Sequence, residues 1–180
     1  EISNPAGLFL EERSNDASGS VVCACLEGNR PILVEVQALV AKTPYGMPRR
    51  TAVGFDYNRV TMLLAILERR LGMDFGAYDA YVNVVGGMRV TEPAADLAVA
   101  AALVSSYRNR PIPHGVLVMG EVGLTGEVRR IGSPERRIKD AMNLGFKRFV
   151  LPMGKLSLDE PCNGIVQVKT LEEALDKVFA

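Results

Sequence analysis

Apolar residues gather in short runs through the first part of the chain, and the spacing of those runs changes along it. "SVVCACLEG" and "RPILVEVQALVAKT" predict two strands joined by a tight turn at Gly28–Asn29, hence a hairpin. "KTPYGMPRRTAVGFD" (42–56) is rich in proline and glycine and reads as a long loop. From about Asn58 to Leu71 the period becomes helical. Val60, Leu63, Leu64 and Leu67 make one apolar stripe, Asn58 is the expected cap, and Gly72 ends the helix. "YDAYVNVVGG" predicts a strand stopped at Gly86–Gly87.

"TEPAADLAVAAALV" (91–104) predicts an apolar helix begun by Pro93, where a missing N–H costs nothing. Asp96 lies in the same turn and complements the helix dipole. That helix runs to about Tyr107 and "RNRPIP" breaks it. "GVLVMGEVG" and "GEVRRI" predict strands meeting at glycine-rich turns. "SPERRIKDAMNLG" predicts a helix with Ser133 as cap, Pro134 first and Gly145 closing it. "RFVLP" and "IVQVKT" read as short buried strands, and "TLEEALDKVF" as a final helix. The order ββ-α-β-α-ββ-α-β-β-α predicts one α/β domain, an α+β mixed sheet, over residues 1–180. Residues 1–19 serve in that reading as a lead-in.

Composition narrows this picture. With 48% hydrophobic and 23% charged residues, the 180-residue chain is globular and can bury a core of ordinary domain size. No apolar run is long enough to span a bilayer, no signal-peptide pattern precedes the first strand, and no membrane partner is expected. The chain begins at Glu1 rather than methionine, so the expectation is a piece of a longer polypeptide. Cys23 and Cys25, two apart in a strand, should share one face, while Cys162 is isolated in a loop. Scattered thiols in odd number suit a reducing compartment and predict a cytoplasmic protein.

The net charge of zero conceals a split. Residues 42–155 carry 17 Lys or Arg against 10 Asp or Glu, a balance of +7, and the two ends carry 4 against 11, a balance of −7. Fifteen of the 21 cations are arginine, whose fork suits bidentate phosphate and carboxylate contacts. Clusters at Arg49–Arg50, Arg69–Arg70, Arg108/Arg110, Arg129–Arg130 and Arg136–Arg137 raise a nucleic-acid or subunit-interface reading. A solvated surface with local ion pairs accounts for them equally well.

Several chemistries lack their residues. There is no G-x-x-x-x-G-K-[ST] loop for nucleotide phosphates. The glycines of "GEVGLTGE" fall between strands rather than before a helix. His114, the single histidine, lies in a turn between Pro113 and Gly115 and makes a poor triad base. No His, Cys and carboxylate residues share a metal-ligand spacing.

One segment carries a resemblance. "AYVNVVGGMRVTEPAADLAVAAALVSSYRNRPIPHGVLVMGEVGLTGEVRRIGSPERRIKDAMNLGFKRFVLP" resembles the proteolytic domain of Lon proteases, through its Pro-started helix, "MGEVGLTGEV" and "GFKRFVLP". The resemblance implies a Lon proteolytic-domain-like fold. It also implies a Ser–Lys dyad, but the serine position is Ala94 and the lysine position is Arg137. Alanine has no oxygen to attack a carbonyl. Arginine, with a pKa above about 12, cannot serve as the base. Asp96 also stands where the motif has its second glycine. The domain is therefore expected to be catalytically degenerate and not an enzyme, with Ser133, Ser105 and Ser106 as poor replacement nucleophiles.

"NPAGLFLEER", "GSVV", "EGNRPILVEVQALVAKTPYGMPRRTAVGFDYNRVTMLLAILERRLG" and "DAYVNVVGGMRVTEPAADLA" are similar to the C-terminal domain of the bacterial RadA (Sms) family. That resemblance implies an upstream zinc ribbon and RecA-like ATPase, with ATP, Mg and Zn bound there and no cofactor in this domain. It implies a hexameric, DNA-dependent ATPase of recombinational repair and branch migration, acting on single-stranded or branched DNA beside RecA. The expected role here is a hexamerisation scaffold and a DNA-guiding surface, with Arg49, Arg50, Arg59 and Arg89 as candidate DNA contacts. An interaction module for RecA or a helicase, without DNA contact, is the alternative. An atypical serine peptidase is the third and weakest reading.

Overall fold

The computed structural model describes residues 10–13 and 16–180, so most of the expected lead-in (1–9 and 14–15) lies outside the described residues. The elements are β1 (Ser20–Glu27), β2 (Arg30–Lys42), β3 (Arg50–Val53), α1 (Tyr57–Leu71), β4 (Tyr78–Val84), α2 (Asp96–Arg108), β5 (Val116–Val118), β6 (Glu121–Val122), β7 (Val128–Arg129), α3 (Pro134–Asn143), β8 (Arg148–Pro152), β9 (Ile165–Val168) and α4 (Leu171–Val178). Seven strands form one sheet in the order β3-β4-β2-β1-β5-β8-β9, and β6 and β7 make a separate two-stranded ribbon. The expected mixed α/β architecture is present. Only β2 runs against the rest: it pairs antiparallel with β1 and β4, while β3/β4, β1/β5, β5/β8 and β8/β9 are parallel.

Alternation along the strands sorts side chains into two cores. Val21, Cys23 and Cys25 of β1 face a large core with α1, α2 and α4. Val22 and Ala24 face a smaller one beneath α3, with Leu117, Phe149 and Ile138. Helix α2 is buried from Asp96 through Ser105 without a break. A helix apolar on all sides must be covered on all sides, and α2 packs against β1, β2, α1 and α4. Its alanines bring those neighbours close to the helix axis.

Three local expectations are corrected. The long loop at 42–56 contains β3, which pairs with β4 from Arg50↔Ala80 to Val53↔Asn83. Its four residues are too few to show a period, and its partner lies beyond a whole helix. The cap of α1 is Asp56, whose carboxylate accepts from Arg59 N at 2.8 Å; Asn58 lies inside the helix. Ser133 precedes α3 but has φ 52° and makes no capping bond with its side chain. Pro134 alone marks that helix start. The thiols of Cys23 and Cys25 share a face as expected, with sulfurs 3.5 Å apart.

Candidate functional site

Ala94 sits in a 3-10 turn (Pro93–Ala95) that leads into α2, buried, with its carbonyl accepting from Gly120 N at 2.8 Å. The turn is thereby tied to the end of β5. Arg137 lies in the first turn of α3 and is 1% exposed. Its guanidinium forms a two-pronged pair with Glu92, Nη1 to Oε1 at 2.6 Å and Nη2 to Oε2 at 2.8 Å. Nε donates to Gly132 O at 2.8 Å and Nη1 also donates to Ala24 O at 2.6 Å. Glu92 Oε1 accepts in addition from Leu26 N at 2.7 Å. The fold thus carries Arg137 to a carboxylate two residues before Ala94 and fastens α3, β1 and the entry to α2 at one point.

This arrangement is electrostatically closed. A guanidinium held by a carboxylate and two carbonyls has its donors occupied, and it has neither a lone pair to take a proton nor a hydroxyl to activate. Sequence reasoning singled out Arg137 but missed Glu92. The only signal was an acidic residue just before Pro93, and its partner lies 45 positions away. Cys25 borders the same region. Its thiol is pushed well above the usual range, first by the hydrogen bond with Cys23, then by burial.

A second buried carboxylate closes the other side of α2. Asp96 is fully buried; it accepts from Val122 N at 3.1 Å and pairs with the Arg59 guanidinium. Burial raises its pKa, and the hydrogen bonds from Arg59 and Val122 work against that rise. Arg59 is therefore partly engaged inside the molecule, 30% exposed at its side chain. Arg50 is engaged as well, donating to Phe75 O at 2.7 Å and to Tyr78 O, and is half-buried. Arg49 and Arg89 are exposed. They stand at opposite ends of β3: Arg49 precedes it, and Val90 N donates to Gly54 O at 2.8 Å just after it.

Other cations are spent locally. Arg136 donates to Asn29 Oδ1 at 2.9 Å, Arg129 lies 3.5 Å from Glu127, and Arg110 donates to Phe179 O at 2.7 Å. Arg148 donates to Ala180 O and Lys177 O. His114 is exposed. Among the described residues there is no cluster of three or more His, Cys, Asp or Glu that could hold a metal, and no helix is long and apolar enough to cross a membrane.

The sheet and its helices form a mixed α/β domain, and residues 36–155 match the ChlI family, described as subunit ChlI of Mg-chelatase. The chain belongs to that family. It is also similar to proteins named DNA repair protein RadA: 47% identical over 180 residues to that of Halalkalibacterium halodurans, covering 98% of this chain and 39% of the relative. It is 49% identical over 180 residues to that of Pseudomonas aeruginosa, covering 99% and 40%, and 48% over 177 residues to that of Bacillus subtilis, covering 97% and 39%. The chain spans about two-fifths of the length of these curated relatives.

Proposed function

We propose that this chain is a non-proteolytic Lon-like domain that holds a DNA repair protein together as a hexamer and guides DNA along its surface. The observation that carries this reading is the sealed pair Arg137–Glu92 beside Ala94. A scaffold that keeps a helix entry but fills the place of a base with a fastened cation retains architecture rather than chemistry. The relatives' name, DNA repair protein, supplies the setting. In the whole protein, an upstream zinc ribbon would hold Zn, and a RecA-like ATPase would hold ATP and Mg and drive recombinational repair and branch migration. RecA is a candidate partner, and the cytoplasm the expected location.

Tyr45 and Met47, 94% and 88% exposed in the β2–β3 loop, are apolar side chains that a neighbouring subunit would cover. A cyclic ring repeats one heterologous contact around its axis, which suits such a protruding loop. The exposed Arg49 and Arg89 are the free members of the four candidate DNA contacts. Arg50 and Arg59, already engaged internally, are better suited to holding the loop and α1 in place.

Arg49→Ala combined with Arg89→Ala is expected to weaken DNA binding and to reduce the salt slope, by about 0.7 for each phosphate of a single strand that is no longer neutralised. The measurement is affinity at several salt concentrations alongside the mass of the assembly. An unchanged slope with a broken ring would assign both arginines to the subunit interface instead.

A further inference from the structure

The two faces of the seven-stranded sheet are not equally covered. On one face α1, α2 and α4 pack along its length. On the other, α3 covers only the part built from β1, the start of β2, β5 and β8. Among the described residues no helix covers the remaining part, where β2, β4 and β3 lie side by side, and the segment Ala17–Gly19 borders it. Their burial alternates accordingly, with Gln37, Leu39, Asn83, Thr51 and Val53 exposed between buried or half-buried neighbours.

Register places these side chains in two rows across three strands. Gln37 pairs with Asn83, which pairs with Val53; Leu39 pairs with Tyr81, which pairs with Thr51. Strand spacing makes the patch about 10 Å wide. Tyr81 and Asn83 also line a depression that reaches Ser20 at the start of β1. Arg49 and Gly54, the latter bonded to the segment carrying Arg89, bracket β3 about 16 Å apart at strand rise. The acidic groups nearby are internally bound: Glu35 accepts from Ser20 and Gln37, and Asp79 from Thr43 and Arg49 N.

The open sheet carries an aromatic ring, two amides and a hydroxyl beside the exposed Leu39 and Val53, with cations at both ends of β3. Stacking on a ring needs an exposed base face, which a single strand offers and a duplex does not. Amides supply donors and acceptors for base edges, and arginines neutralise phosphates. We propose that this uncovered part of the sheet is a platform for single-stranded nucleic acid, with Tyr81 as the stacking ring and Arg49 and Arg89 holding the backbone at its two ends. The inference rests on the DNA-guiding reading and adds to it a place on the fold and a binding mode.

The test is fluorescence anisotropy of a labelled oligodeoxythymidylate, and of a duplex of equal length, with the 180-residue chain. Tyr81→Ala is expected to raise the single-strand Kd roughly five- to a hundredfold while leaving the salt slope unchanged. Tyr81→Phe should retain binding, because the ring and not the hydroxyl does the stacking. Leu39 is 60% exposed, so its substitution leaves the fold intact: Leu39→Glu should weaken binding and Leu39→Lys tighten it. Wild-type-like binding by Tyr81→Ala and by both Leu39 variants overturns the platform but spares the DNA reading. Loss of assembly together with binding makes the face an interface between copies and also overturns it. No binding by the unsubstituted chain removes the DNA reading itself.

Discussion

Arg137 is the largest fully buried side chain among the described residues, and its charge is tolerated only because Glu92 and two carbonyls surround it. Removing one member of a buried pair leaves an uncompensated charge, which costs about 3–5 kcal/mol. Glu92→Gln is therefore expected to lower stability by about that amount, since the guanidinium stays inside. Replacing both residues with apolar side chains of similar volume should cost far less, and urea unfolding of the single and double variants checks the difference. The same pair bears on peptidase activity. Ala94→Ser alone introduces a hydroxyl without a base. Adding Arg137→Lys places an amine against Glu92, and an adjacent carboxylate favours its charged form. Neither variant is expected to cleave casein; turnover by the double variant would show that the amine sheds its proton despite Glu92. What the sequence offered here was residue type: alanine carries no nucleophilic oxygen and arginine no lone pair to act as a base. What it hid was Glu92, because a pairing across 45 positions exists only after β1 and α3 have come together.

At the scale of elements, legibility followed length and punctuation. Helix α2 announced itself through Pro93 and its unbroken apolar run, and the β1–β2 hairpin through Gly28–Asn29. Strand β3 did not, because four residues between a proline-rich loop and Gly54 carry no period of their own. Its position comes from β4 and from a fastening at the start of the edge: the Asp79 carboxylate accepts from Arg49 N at 2.7 Å and Thr43 Oγ1 at 3.0 Å. The backbone N–H of Arg49 is the main cause of a lowered Asp79 pKa, opposed by burial and helped by Thr43. A lowered folded pKa contributes stability above the unfolded value of about 3.9, and that contribution disappears as pH falls through the folded value. Asp79→Asn should accordingly reduce stability at pH 7 and flatten its fall on acidification below about 4. Unfolding midpoints measured from neutral to acid pH test the sign. The alternation of "VEVQALVA" and "AYVNV" was visible in the sequence as strand, but which strand faces would stay open depended on how far α3 reaches, which no local pattern encodes.

For the whole molecule, the cations divide between those that tie the chain together and those that stay at its surface. Arg59, Arg137 and Arg148 reach carbonyls or carboxylates within the chain. Arg49 and Arg89, which flank the β3 edge, stay exposed, as do Arg69, Arg70 and Arg108 elsewhere on the surface. If this edge and the Tyr45–Met47 loop meet a neighbouring subunit, mass measurement in solution should give a hexamer. Met47→Asp with Tyr45→Ser should shift that mass towards the monomer. A monomer for the unsubstituted chain would move the assembly role elsewhere in the longer protein. The central strand offers a different handle on the same molecule. Cys23 and Cys25 are sealed at 0% and 2% exposure, whereas Cys162 is partly accessible. An alkylating reagent will mark Cys162 promptly and the other two only in molecules whose middle has come apart. The hairpin thus carries a chemical stopwatch, and the delay between first and last label times the opening of the sheet.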